Sequence, residues 1–210
     1  MAEATFRKST FREYFESLVV AVILALFVRT FGFQAFKIPT GSMEPNLLVG
    51  DHLLVNKFVF APTLSGIERA VLPMRPVERG DVLVFKFPEE PERDFIKRVI
   101  GLPGETLELR NQVIYINGAP LVEPYAHYQL PPAEQTATGG ENGDVRRKYG
   151  PVTVPAGHYF MMGDNRDDSQ DSRYWSFLPA TYVKGRALFI YWSFGGPQGT
   201  RWSRLLHQIH

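Results

Sequence analysis

The sequence predicts an all-β fold, a predominantly antiparallel β-sheet domain carried on an N-terminal transmembrane helix. Three observations point there. Among 210 residues are 16 Phe, nine Tyr, 18 Gly and 16 Pro; aromatic side chains suit half-buried strands, while Gly and Pro break a chain into short elements joined by turns. One long apolar segment occurs, LVVAVILALFV, Leu18 to Val28. Beyond it, turn signals and apolar alternation recur towards the C-terminus. The length suffices for a sizeable core without staples. With no cysteine, disulfides, thiolate zinc sites and cysteine nucleophiles are excluded, and the redox compartment stays open. A net charge of +1 supplies no global basic field, so nucleic acid is not an expected partner.

The N-terminal elements divide as a cytoplasmic segment over residues 1–17, an anchor over 18–36 and an extracytoplasmic β-rich domain over 37–210. The anchor's uncharged run is eleven residues. Continued through Arg29 to Phe36 as helix, it reaches ~28 Å, close to the hydrocarbon thickness of a bilayer. A cleavable signal peptide and a buried helix compete with this reading, because the run is short and Arg29 is costly in lipid unless it snorkels. Against cleavage, no Ala-x-Ala follows the run, and Thr30-x-Gly32 is a weak match. Arg7, Lys8 and Arg12 on the N-terminal flank outnumber Arg29 and Lys37 on the other, which places the N-terminus inside.

Past the anchor, GDHLLVNKFVF (Gly50 to Phe60) and RGDVLVFKFP (Arg79 to Pro88) each read as a turn followed by a strand. LELRNQVIYINGAPL carries Asn117-Gly118, a hairpin signal because both residues tolerate positive φ. Residues 130–150, rich in Pro, Gly, Glu and Gln, read as a loop insertion in one interrupted domain. VTVPAGHYFMMGDN and KGRALFIYWSF then read as two further strand segments. No internal repeat or heptad occurs.

The chemistry begins by elimination. The five histidines show no HExxH or other metal spacing. Asp51-His52 invites a Ser-His-Asp reading of Ser42, but adjacency in sequence is not triad geometry, and no GxSxG surrounds the serine. GDNRDDSQDSR (Gly163 to Arg173) looks like a calcium loop until counted: from Asp164 the third position is Arg166 and the sixth is not Gly. No metal or cofactor is expected.

A different base is available in DFIKRVIGLPG. Lys97 and Arg98 interrupt an apolar strand, with Phe95 and Val99 on the lysine's face and Ile96 and Ile100 on the other, so one charged side chain is expected to point inward. An ordinary lysine is only about 0.4% neutral at pH 8, but burial brings the pKa towards the range of a working base. Such an amine can take a proton from a serine. Taken alone, Lys97 also fits an edge charge or a snorkelling stem, and Ser42 in its Thr-Gly-Ser turn also fits plain turn chemistry.

Taken together and in order, IPTGSMEPNL, GDHLLVNK, RGDVLVFKFP, DFIKRVIGLPGE and GDNRDDSQDSRYWSFLP resemble the motif blocks of bacterial type I signal peptidases, and the resemblance covers almost the whole chain. These are membrane-anchored Ser-Lys endopeptidases that remove signal peptides from exported preproteins after small residues of Ala-x-Ala type. The resemblance implies Ser42 as nucleophile and Lys97 as general base, 55 residues apart. It implies Thr40 as an oxyanion donor beside the Ser42 backbone N–H, Ser169 as the hydroxyl that orients the lysine, and Asp171 and Arg173 as the pair supporting the loop. Phe36, Ile38, Met43, Leu47, Val84, Phe95 and Ile96 match the pocket walls, and each also fits plain core. The implied partners are signal peptides, the lipid bilayer and the export translocon, with the enzyme single-pass in the bacterial cytoplasmic membrane and its catalytic domain on the outer face. Asp168 stands where the family commonly has Asn, and Ser176 where it has Gly; both leave Ser169 in register. A self-cleaving Ser-Lys protease and a catalytically lapsed, anchored β-domain that binds exported proteins are the alternatives. The first lacks these five blocks, and the retained Ser42, Lys97 and Ser169 argue against the second.

Overall fold

A computed structural model describes residues 10–27, 32–57, 75–129, 144–195 and 199–209. It opens on helix α1 (Thr10–Phe27), followed by strand β1 (Phe33–Lys37), a 3-10 turn at Gly41–Met43 and β2 (Asp51–Asn56). Then come β3 (Val82–Lys86), β4 (Asp94–Gly101), β5 (Thr106–Arg110), β6 (Val113–Ile116), β7 (Ala119–Pro120), β8 (Lys148–Thr153) and β9 (His158–Met162). A one-turn helix α2 (Ser172–Trp175), β10 (Leu178–Pro179), β11 (Val183–Ser193) and β12 (His207–Gln208) complete the described chain.

The strands form two sheets, and every strand pairing described is antiparallel. The larger runs β1-β2-β11-β3-β4-β9-β10 with β12 on β11, and the smaller runs β7-β6-β5-β8. Strand β2 shows how sequence makes element: Asp51, Leu53 and Val55 point inward while His52 and Leu54 are half-exposed, the period-2 pattern of a strand with one buried face. The predicted hairpin forms at Asn117 and Gly118, whose φ values of 51° and 83° suit a tight β-turn. Its side chain adds a lock, since the Thr106 amide donates to Asn117 Oδ1 at 2.9 Å.

Three apolar clusters hold the sheets. One gathers Ile38, Met43, Leu47, Leu53, Val55, Val82, Val84, Ile96, Ala187 and Ile190 beneath the 3-10 turn. The second places Leu83, Phe85, Phe87, Val99, Trp175 and Leu178 together, with Phe87 stacked on Phe95 at 4.3 Å. The third, around Leu107, Ile114 and Phe160, joins the small sheet to the large one.

The N-terminal expectation is corrected in extent. A helix from 18 to 36 was expected; the observed one covers Thr10–Phe27, and Phe33–Lys37 is a strand in antiparallel register with Asn56–His52. The open edge of β2 offers these five residues a ladder, and Phe36 packs on the first cluster, so tertiary pairing overrides the local apolar signal. Among the described residues no helix is long and apolar enough to cross a membrane. Helix α1 carries Arg12, Glu13 and Glu16 early, and its Leu18, Val20, Ile23, Leu24 and Leu26 are exposed.

Other differences are smaller. Of the expected loop over 130–150, residues 130–143 lie outside the described residues, as does Phe58–Phe60 of the strand segment read from Gly50; Lys148–Gly150 already belong to β8. VTVPAGHYFMMGDN is divided between two sheets, because Pro155 to Gly157 turn the chain between β8 and β9. Lys97 and Arg98 are both buried, at 3% and 2% exposure, where one inward charge was expected. Consecutive strand residues face opposite sides, and here both sides are covered.

Arg98 can be buried because Asp164 meets it squarely: Nε and Nη2 each donate to a carboxylate oxygen at 2.7 Å, and Nη1 reaches the Gly80 carbonyl at 2.8 Å. Removing one member of such a pair leaves an uncompensated buried charge, which costs far more than the intact pair contributes. Arg98→Ala is expected to lower stability by about 3–5 kcal/mol, read as a fall in the urea midpoint of the full chain in detergent. A midpoint unchanged from the parent would show that Asp164 finds another partner.

Candidate active site

The site assembles from three segments distant in sequence. The first is the turn that carries Ser42. Thr40 is extended, Gly41–Met43 make a single 3-10 turn closed by the Glu44 amide on the Gly41 carbonyl at 3.0 Å, and Ser42 and Met43 are buried. The buried Met43 roots the turn in the core, which fixes where the serine stands.

The second segment is the middle of β4. Lys97 lies opposite Leu83 of β3, and its Nζ is 2.5 Å from Ser42 Oγ. That places the two reacting groups within hydrogen-bond reach. Nζ also sits 5.4 Å from the centre of the Phe95 ring. Burial is the main reason the amine is pushed down from 10.5 to about 8; Asp171 and Asp164 pull the other way, and Arg173 offsets part of their pull. Desolvation therefore outweighs two nearby carboxylates, and the amine is partly neutral near pH 8.

The third segment is the loop after β9, 163–171. It clamps the serine turn directly: the Asn165 amide donates to the Ser42 carbonyl at 3.1 Å and Asn165 Nδ2 to the Gly41 carbonyl at 3.2 Å. The loop is in turn held by buried charge pairs. Asp171, fully buried, takes Nε and Nη2 of Arg173 at 2.8 Å each and the Gly163 amide at 3.1 Å. Burial opposes its charge, but Arg173 and these hydrogen bonds prevail and hold its carboxyl below the usual range. Arg166 pairs with Glu123 at 2.9 and 2.5 Å, and Asn46 Nδ2 donates to Asp164 Oδ2 at 2.9 Å.

Gly163 stands where the loop and the serine turn touch. A β-carbon there would fall inside contact distance of the Ser42 carbonyl oxygen and of the Ser169 side chain. The position therefore demands glycine for space, and that is what lets Ser169 and Ser42 approach one another.

The expected site residues are thus distributed unevenly. Phe36, Thr40, Ser42, Phe95, Ile96 and Lys97 line one cleft of about 500 Å³, with Asp168 and Gln170 from the loop. Thr40 Oγ1 is 3.5 Å from Ser42 Oγ. Ile38, Met43, Leu47 and Val84 do not line it and sit in the first core cluster. Ser169 Oγ is buried close to Gly163 and beside the Asp171 carboxylate, whose charged form it favours, and no hydrogen bond joins it to Lys97. Asp51 is taken by Ser193 at 2.6 Å and Arg204 at 2.6 Å, and His52 packs against Tyr191, so this adjacent pair forms no Ser-His-Asp constellation with Ser42. Among the described residues no group of three or more His, Cys, Asp or Glu is arranged to hold a metal. Asn46, Asn165, Glu123 and Gly163 are not singled out by the sequence; three of them stand inside motif blocks, and nothing local marks Glu123.

With the geometry in hand, similarity to known proteins is informative. The family model for signal peptidase, peptidase S26, matches residues 11–192. Signal peptidase I of Pseudomonas aeruginosa is 36% identical over 216 residues, covering 89% of this chain and 74% of its own. That of Aquifex aeolicus is 36% identical over 229 residues, covering 87% and 84%. A solved signal peptidase I from Enterococcus faecalis V583, 35% identical, covers 53% of this chain and 97% of its own with a TM-score of 0.42.

The contact at Gly163 makes a direct prediction. Gly163→Ala is expected to push the serine turn and the loop apart while the sheets stay intact. Acylation of Ser42 by a serine-directed probe should slow about a hundredfold, with an unchanged circular dichroism spectrum, as expected when reacting groups are misplaced by about 1 Å. Acylation at the parental rate would mean that the loop absorbs the methyl group elsewhere.

Proposed function

This chain belongs to the signal peptidase family, peptidase S26, and from that premise we propose a Ser-Lys mechanism for the reaction it catalyses. The protein is a peptidase that removes signal peptides from exported preproteins. The observation that carries the mechanism is the contact of Lys97 Nζ with Ser42 Oγ at 2.5 Å in a buried site.

The neutral amine of Lys97 accepts the Ser42 hydroxyl proton as Oγ attacks the carbonyl carbon of the scissile bond. The Ser42 backbone N–H and the Thr40 hydroxyl are the donors for the developing oxyanion, each commonly worth about 3 kcal/mol in such sites. The ammonium then returns its proton to the leaving amine, which departs with the mature protein, and the signal peptide remains as an ester on Ser42. A water activated by the same amine hydrolyses the ester. The Asp171–Arg173 pair positions the loop whose Asn165 grips the serine turn.

Substrate lies extended. β1 pairs only with β2 among the described strands, leaving its outer edge available for an added strand. Phe36, Phe95 and Ile96 supply apolar walls that suit small side chains one and three residues before the cut. Leu18, Val20, Ile23, Leu24 and Leu26 of α1 are exposed, and the sequence continues apolar to Val28. This supports a single-pass anchor in the cytoplasmic membrane, N-terminus inside, with the catalytic domain outside and substrate arriving through the same bilayer from the translocon.

The test is cleavage of a peptide with an Ala-x-Ala site by the full chain. Ser42→Ala and Lys97→Met should abolish it, and undiminished cleavage by either variant would sink the dyad. The pH dependence has a definite sign. The base must be neutral, so kcat/KM should rise with pH and level off around a midpoint of about 8. About a tenth of the amine is neutral one unit below that midpoint and about nine-tenths one unit above. A rate independent of pH between 6 and 9 would exclude Lys97 as the base.

A further inference from the structure

The cleft contains one carboxylate that no hydrogen bond or ion pair among the described residues engages. Arg93 on its rim is bonded to Glu90 at 3.0 Å, Asp94 is bonded to Lys184 at 2.7 Å, and Lys97 is turned to Ser42. Asp168 also lines the cleft, is exposed, and its carboxylate has no hydrogen bond or ion pair among the described residues. The contrast with its neighbours is sharp. In the same loop Asp164, Asp171 and Arg166 are buried and each is paired. Asp167 accepts from the Gln129 amide at 2.7 Å. Asp168 is also the position where the block departs from the asparagine common in signal peptidases, and asparagine in its place would leave the cleft without a free anion.

The backbone that carries the carboxylate is tied to the serine turn. The Asp168 amide donates to the Asn165 carbonyl at 3.2 Å, and Asn165 itself is bound to the serine turn. The charge is therefore carried on a segment bound to the serine turn and lies in the same cleft as Ser42 and Lys97. In keeping with this, it favours the charged form of Lys97, a smaller effect than those of the buried Asp171 and Asp164.

We propose that Asp168 is a specificity determinant of the cleft, favouring preproteins that carry a basic side chain beside the scissile bond and disfavouring those that carry an acidic one there. The inference rests on the peptidase reading above. The small side chains one and three residues before the cut face the apolar walls, so in an extended substrate the intervening residue and those after the cut are the ones free to carry charge. An opposite charge several ångströms away in a cleft half open to water changes transition-state binding by about a factor of ten, and salt weakens it.

The test uses three series of peptides around one Ala-x-Ala site. Lys, Gln or Glu is placed in turn two residues before the cut, one residue after it and two after it. For the full chain, kcat/KM for Lys should exceed that for Glu by about tenfold in at least one series, and the ratio should shrink as salt is raised. Asp168→Asn should bring that ratio to near one while cleaving the Gln peptides, and Asp168→Lys should invert it. A merely structural role for Asp168 would lower all three rates together and leave the ratio unchanged. Equal Lys/Glu ratios in wild type and Asp168→Asn would overturn the inference with the peptidase reading intact. No cleavage of the Gln peptides by the wild type would instead overturn the peptidase reading, and this one with it.

Discussion

Keeping one amine out of water is the constraint on which the rest of this structure depends. As the proposed base Lys97 must be neutral, and burial is the largest influence pushing it that way. The strand that carries it is covered on both faces. Phe95, Phe85 and Phe87 lie near it on one side, and the first core cluster lies behind. Placing the lysine centrally in a sheet, opposite Leu83, gives it neighbours that cannot solvate an ammonium. A lysine on a strand at the rim would keep its head in water and its proton with it.

That constraint explains the charge pairing in the neighbouring loop. Asp164 and Asp171 both act to restore the proton on Lys97, and unpaired at such depth they would defeat the desolvation. Each is matched by an arginine through two hydrogen bonds, Arg98 for the first and Arg173 for the second. Buried pairs of this kind are weak contributors to stability compared with apolar packing, so their value here is geometric. Planar guanidinium forks fix direction as well as distance. They hold a loop whose amide and side chain, at Asn165, grip the two carbonyls flanking and including the serine.

Much of this was legible in the sequence, for physical reasons that differ by element. The Asn117-Gly118 hairpin and the strands at Val82 and Asp94 follow from local turn chemistry and period-2 patterning. Ser42 and Lys97 were legible through the five motif blocks, which local pattern alone does not distinguish from a turn and an edge charge. What was not legible depends on partners far along the chain. β1 is a strand because β2 offers it an edge, although its own residues continue an apolar run. Arg98 is buried because Asp164, 66 residues away, reaches it. Gly163 is needed for the space between Ser42 and Ser169, a requirement with no sequence signature. Of the seven expected pocket residues, the four that moved to the core, Ile38, Met43, Leu47 and Val84, have side chains as apolar as those that stayed. Hydrophobicity cannot tell a wall from a foundation.

The same strand links the remaining parts. β1 follows the helix after a short connection, runs five residues and leads within another five to Ser42. It is paired to β2 along its whole length, so it cannot stretch or swing. A strand advances about 3.3 Å per residue, which puts the serine within about 30 Å of chain from Phe33. In the proposed arrangement, an anchor at α1 holds the serine within a short length of chain from the lipid. In that same arrangement a substrate held by its own apolar segment in the bilayer would have lost most of the freedom that diffusion otherwise has to overcome. Among the described strands β1 pairs only with β2, and its other edge is the one along which an extended substrate would lie in the proposed arrangement.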